Sequence, residues 1–124
     1  MKEDLEKVNN SRYSMYNKVT NFIMYSRKYI LSSIPKVHAD IRIKLTDRMY
    51  SLSSNMFYAT YNKGNVRMKY LVELQVDISM IDMLFDILKK ENIVKKHSID
   101  VAISDLGYIK NIVYGWKFNE EKGK

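Results

Sequence analysis

The sequence contains no cysteine. That removes disulfide frameworks, thiolate zinc sites and cysteine nucleophiles from consideration. Only one proline and four glycines occur in 124 residues, so turn formers are scarce and long helices with short connections are expected. No apolar stretch approaches the roughly 20 residues needed to span a bilayer. The opening Met1-Lys2-Glu3-Asp4-Leu5 is charged and has no secretory-type apolar core, and a cytoplasmic protein without membrane contact is expected. Catalytic equipment is also sparse. There is no Gly-rich phosphate loop and no serine in a recognisable nucleophile context. The two histidines, His38 and His97, stand near predicted helix ends and suit surface or capping roles. His38 and Asp40 are two residues apart and so do not share a helix face. The carboxylate pairs Glu73/Asp77 and Asp82/Asp86 lack the Glu-x-x-His partners of a di-metal bundle and are expected on solvated faces. A non-enzyme with no cofactor and no metal follows.

What is abundant is positive charge: 21 Lys and Arg against 14 Asp and Glu, a formal net charge of +7. In a chain of this size that excess suits an anionic partner, nucleic acid before membrane; the plain alternative is a soluble surface that is merely basic.

Hydrophobic periodicity predicts an all-α chain of four helices over residues 13–118, between a polar N-terminal segment (1–12) and a polar tail (119–124). The first helix, from about Tyr13 to Ser32, carries Tyr16, Val19, Phe22, Ile23 and Ile30, and Pro35 separates it from the next. The second, from about Lys36 to Tyr61, has a bundle seam of Ile41, Leu45, Met49, Leu52, Met56 and Ala59. Gly64 can take positive φ in the following turn, and Asn65 can cap a third helix that ends near Lys90. Glu91 to His97 forms a polar connector. Ser98 then caps a fourth helix with Ile99, Ile103, Leu106, Val113 and Trp116 inward, and Ile109 and Ile112 beside them. Short loops make this an up-down-up-down four-helix bundle.

The third helix is apolar on two sides. One stripe runs Leu71, Leu74, Ile78, Ile81, Phe85, Leu88; another runs Val72, Val76, Met80, Met83, Ile87. At about 100° per residue their centres lie roughly 180° apart. A single bundle needs one stripe per helix, so the second is expected at an interface, most simply with a copy of the same chain. A wide core face in a monomer is the alternative.

For nucleic acid, Lys36, Arg42, Lys44 and Arg48 gather at the start of the second helix, with Lys28 nearby, and Lys63 and Arg67 lie at the loop into the third. Lys69 joins the second of these clusters, and Lys95, Lys96, Lys110, Lys117, Lys122 and Lys124 add basic character around the fourth helix. Such cations neutralise phosphates without reading sequence. The ten tyrosines either stack on unpaired bases or pack at the core rim.

Three stretches carry a resemblance. Ser33-Ile34-Pro35-Lys36 precedes a long basic helix, Arg67 and Tyr70-Leu71 open the third, and Leu106-Gly107-Tyr108-Ile109-Lys110 runs into Gly115-Trp116. Over about Tyr16 to Phe118 the chain resembles the Avd-like four-helix-bundle family, the accessory variability determinants of diversity-generating retroelements. That family is related to proteins encoded by intervening sequences of 23S ribosomal RNA genes. The resemblance implies a barrel-shaped homopentamer that binds RNA or DNA and a reverse transcriptase, supporting mutagenic retrohoming while the partner performs the chemistry. Two departures stand out. Asp82 and Asp86 occupy positions where the family tends to carry arginine, a reversal that repels phosphate and suits a basic partner. Tyr114-Gly115-Trp116 stands in place of Gly-Gly-Trp. A protein-interaction scaffold of the same fold without nucleic-acid binding is the competing function.

Overall fold

In the computed structural model, residues 2–123 are described, with side chains from residue 12 onward. Four helices follow one another: α1 (Lys2–Tyr29), α2 (Ala39–Tyr61), α3 (Gly64–Lys90) and α4 (Lys96–Lys122). Two short 3-10 turns, Leu31–Ser33 and Lys36–His38, bracket Pro35 between α1 and α2. No strand occurs among the described residues. Each helix packs on the next and α4 closes back on α1, the arrangement of an up-down-up-down bundle.

The expected seams form the core. All six seam residues of α2 are buried, as are Leu71, Leu74, Ile78, Ile81, Phe85 and Leu88 of α3. From α4 come Ile99, Leu106, Val113 and Trp116, now joined by Ala102 and Ile109, while Ile103 and Ile112 sit at the rim. In α1 the inward positions are Met15, Val19 and Phe22, whereas Tyr16 is turned outward. Phe22 meets Phe85 edge-on at a centroid distance of 6.2 Å, joining α1 to α3 across the middle.

Several local expectations are corrected. α1 begins at Lys2, so its backbone includes the polar segment expected before Tyr13; side chains 1–11 lie outside the described residues. α4 runs to Lys122, so the expected tail from 119 is its last turn. Ser98 is inside the first turn of α4 rather than its cap, and the cap position, Lys95, makes no side-chain cap bond. The connector is not wholly polar: Val94 is buried and Ile93 packs against the core, with Asn92 turning the chain at φ 54°. Gly64 does adopt positive φ, at 61°, and opens α3 one residue ahead of Asn65. Its N–H donates to Glu120 Oε1 at 2.7 Å, so α4's last turn caps α3 across the bundle.

The largest correction concerns Asp77, which is 1% exposed rather than solvated. Arg48 Nη1 donates to Oδ1 at 3.1 Å, Ser51 Oγ lies 3.0 Å from each carboxylate oxygen, and Asn55 Nδ2 donates to Oδ2 at 2.8 Å. All three donors lie along one flank of α2. A buried carboxylate is tolerable only with such compensation. Asp77→Ala leaves three donors without their acceptor. It is expected to cost about 2–4 kcal/mol, somewhat below a fully buried pair because Arg48 keeps part of its side chain in water. Urea unfolding monitored by circular dichroism checks it.

Candidate nucleic-acid interface

The six expected phosphate ligands do not form one patch. The 23 residues of α2 rise about 34 Å, and Lys36, Arg42, Lys44 and Arg48 lie toward its start while Lys63 and Arg67 lie beyond its end. Nor are the six equally available. Lys36, Lys44 and Lys63 are exposed and Arg42 is half-buried. Arg48 is committed to Asp77. Arg67 reaches Glu120 Oε2 at 3.4 Å and lies over the Trp116 ring, 5.0 Å from its centroid. Burial pulls the Arg67 guanidinium below its ordinary pKa; the Glu120 charge opposes this and the nearby Arg12 charge adds to it. Two of the six are therefore engaged within the chain.

The end where α2 begins is the stronger candidate because further cations converge there. Lys28 closes α1, and Lys95 and Lys96 open α4. Among the described residues, Lys28, Lys36, Lys44, Lys95 and Lys96 have no carboxylate at ion-pair distance. A cleft of about 370 Å³ opens between Lys28 and Lys95, walled by Tyr29, Ser33, Val94 and Ser98. Tyr25 ties its two sides together by donating its hydroxyl to the Ser98 carbonyl at 2.9 Å. The first turn of α4 carries no acid, although a helix N-terminus is itself a partial positive charge. Lysines placed there add to that potential instead of offsetting it, which suits an incoming anion. Asp100 is nearby, held below the usual carboxylate range chiefly by its hydrogen bond from Lys89, with the Lys96 and His97 charges contributing.

Sequence periodicity places Lys95 in a connector, and gives no sign that it lines this cleft. The missing acid in the segment after Asn92 was the available signal.

The outer face of α3 emerges as expected from its periodicity. Val72, Val76 and Met83 are 43%, 50% and 49% exposed, while Met80 and Ile87 are half-buried at its edge. Met80 also borders a cleft shared with Lys44, Asp47, Arg48 and Ser51, so the apolar face and the basic flank of α2 adjoin. Asp82 and Asp86 are less available than their sequence positions imply. Asp86 pairs with Lys90 on its own helix at 2.9 Å. Asp82 is half-buried; burial raises its pKa and the Lys110 charge partly offsets that. A Cβ on Gly115 would meet nothing within 4 Å, so this glycine is not a close-packing one within the chain.

None of the ten tyrosines is in the buried core: eight are exposed, and Tyr25 and Tyr70 are half-buried. Among the described residues, no group of three or more His, Asp and Glu gathers to hold a metal. No described helix is long and apolar enough to cross a membrane. Compared with models of protein families, with curated proteins and with solved structures, the chain matches none.

The raised pKa of Asp82 has a stability consequence. The folded state holds that proton more tightly than the unfolded chain, so stability falls as pH rises from the ordinary value of 3.8 through the raised one. Asp82→Asn is expected to match the wild type in acid and to melt at a higher temperature than it at neutral pH. Thermal midpoints measured across pH check this; a constant offset at all pH values refutes it.

Proposed function

We propose that this chain is a non-enzymatic, cytoplasmic accessory protein that assembles with copies of itself and binds nucleic acid electrostatically. In this proposal it belongs with the Avd-like proteins it resembles and docks a reverse transcriptase of a diversity-generating retroelement, as a barrel-shaped homopentamer. The observation that carries the reading is the group of lysines without an ion-pair partner, from α1, the α1–α2 connection and α4, around one end of the bundle. The apolar outer face of α3 supports assembly, because Val72, Val76 and Met83 along it are exposed and outside the chain's own core. Assembly multiplies the charge, and repeated basic ends then present a polyanion with several phosphate sites at once.

A protein-interaction scaffold of the same fold is favoured by one observation. Arg48 and Arg67, two of the six expected phosphate ligands, are engaged inside the chain.

The deciding experiment is binding to a structured RNA and to a duplex DNA across a salt series, with native mass determined on the same sample. Steep weakening with salt, by an oligomer, is expected, with a slope near −0.9 per duplex phosphate engaged. Lys36→Glu with Lys44→Glu should lower both affinity and slope. Absence of binding at low salt with assembly intact selects the scaffold.

The α3 face makes its own prediction. Met80→Glu should reduce the native mass and leave helicity largely intact, because the residue lies off the core. An unchanged mass would remove Met80 from the interface.

A further inference from the structure

At the end of the bundle opposite the lysine-rich one, α1 and α2 enclose a short groove of about 290 Å³. Tyr13 and Tyr16 form one wall, Phe57 and Tyr61 the other, with Met56 and Thr60 between them and Arg12 at the rim. The two helices run in opposite directions, and one pair of rings faces across the groove. Tyr16 and Phe57 meet across the groove at a centroid distance of 6.3 Å and 53°. Phe57 and Tyr61 lie one turn apart along α2, 6.5 Å between centroids and within 11° of parallel. These rings are not at a core rim in the ordinary sense: Tyr13 is 70% and Tyr61 79% exposed.

The charge of the groove itself is that of Arg12, and the neighbouring Arg67 is paired with Glu120. No acid is among its described lining residues. Arg12 stands close enough to Arg67 for its charge to depress that guanidinium's pKa, and exposed Lys63 follows Tyr61 by two residues. Flat, exposed π-faces bordered by cations are the chemistry that holds unpaired bases, with rings taking the base and cations the phosphate. The groove spans about one helical turn and falls at the small end of ligand-sized clefts, about 300–1,000 Å³. That suits one or two bases. A stable protein partner would need about 800 Å² of surface on each side.

We infer that the α1–α2 groove binds unpaired bases of a single-stranded nucleic acid through Tyr13, Tyr16, Phe57 and Tyr61. This rests on the nucleic-acid reading above and narrows it to strands whose base faces are free. In a duplex each base face is already stacked on its neighbours, so the groove adds nothing to duplex affinity. The lysine-rich end treats both forms by charge alone.

The test uses the full chain with a short labelled oligothymidylate strand and a blunt DNA duplex of the same length, followed by fluorescence anisotropy at physiological salt. The variant is Tyr13→Leu with Tyr61→Leu; both residues are largely exposed, so the fold is retained. Tyr114→Leu, exposed on α4 outside the groove, is the control. One base on one ring corresponds to roughly 5- to 150-fold in affinity. The groove variant is therefore expected to lose about tenfold or more for the strand, with the duplex and the control unchanged. Equal loss on both probes, or no loss on either, overturns the groove while leaving nucleic-acid binding in place. Absence of binding to both probes by the wild type at low salt overturns the nucleic-acid reading, and the groove with it.

Discussion

The bundle is organised around a carboxylate in its interior. Asp77 sits on α3 among apolar neighbours, and its charge is acceptable there only because Arg48, Ser51 and Asn55 converge on it from α2. That requirement couples the two helices more tightly than apolar packing alone, since hydrogen bonds demand both distance and direction. It also orients α3. With Asp77 turned toward α2, the stripe from Leu71 to Leu88 faces the core and the stripe from Val72 to Ile87 is directed outward.

A second feature is the engagement of two arginines within the chain. Arg48 and Arg67 lie at partly buried positions against a carboxylate, and Arg67 also stacks on Trp116. Guanidinium suits such places because it is planar, weakly hydrated and able to donate in several directions. Lysine, strongly hydrated, keeps its ammonium in solvent and gathers at the end where α1 and α3 finish and α4 begins. Exposed cations stand at both ends, Lys28, Lys36, Lys95 and Lys96 at one and Arg12, Lys63, Lys69 and Lys122 at the other. Aromatic residues also occur at both ends: Tyr13, Tyr16, Phe57 and Tyr61 line the groove at the second, while Tyr25 and Tyr29 pair at the first with centroids 4.9 Å apart.

Much of the fold was legible from periodicity. The α2 seam and the inner stripe of α3 are buried position for position, because a helix that must hide one face repeats its apolar residues every three or four positions whatever it packs against. Helix ends were less legible. Ser98 looked like a cap by residue type, yet α4 begins at Lys96, and α3 is capped by Glu120, 56 residues away in sequence. A cap supplied from another helix leaves no local pattern. The candidate site was legible as a list of cations but not as a surface, since spacing along one helix says nothing about which partner stands opposite.

Composition and periodicity by themselves determined the class of fold, the four helices, the core faces of α2 and α3 and the second apolar face of α3. These follow from the period of 3.6 residues and the cost of leaving apolar surface in water, both properties of a single helix. Only the tertiary structure decided that Asp77 is interior, that Arg48 and Arg67 are spoken for, and that Lys28 meets Lys95 across a cleft. It likewise brought Tyr13 and Tyr16 against Phe57 and Tyr61. Each of these is a meeting of side chains from different helices. Charge pairing and burial depend on distances between elements, which a one-dimensional pattern does not contain.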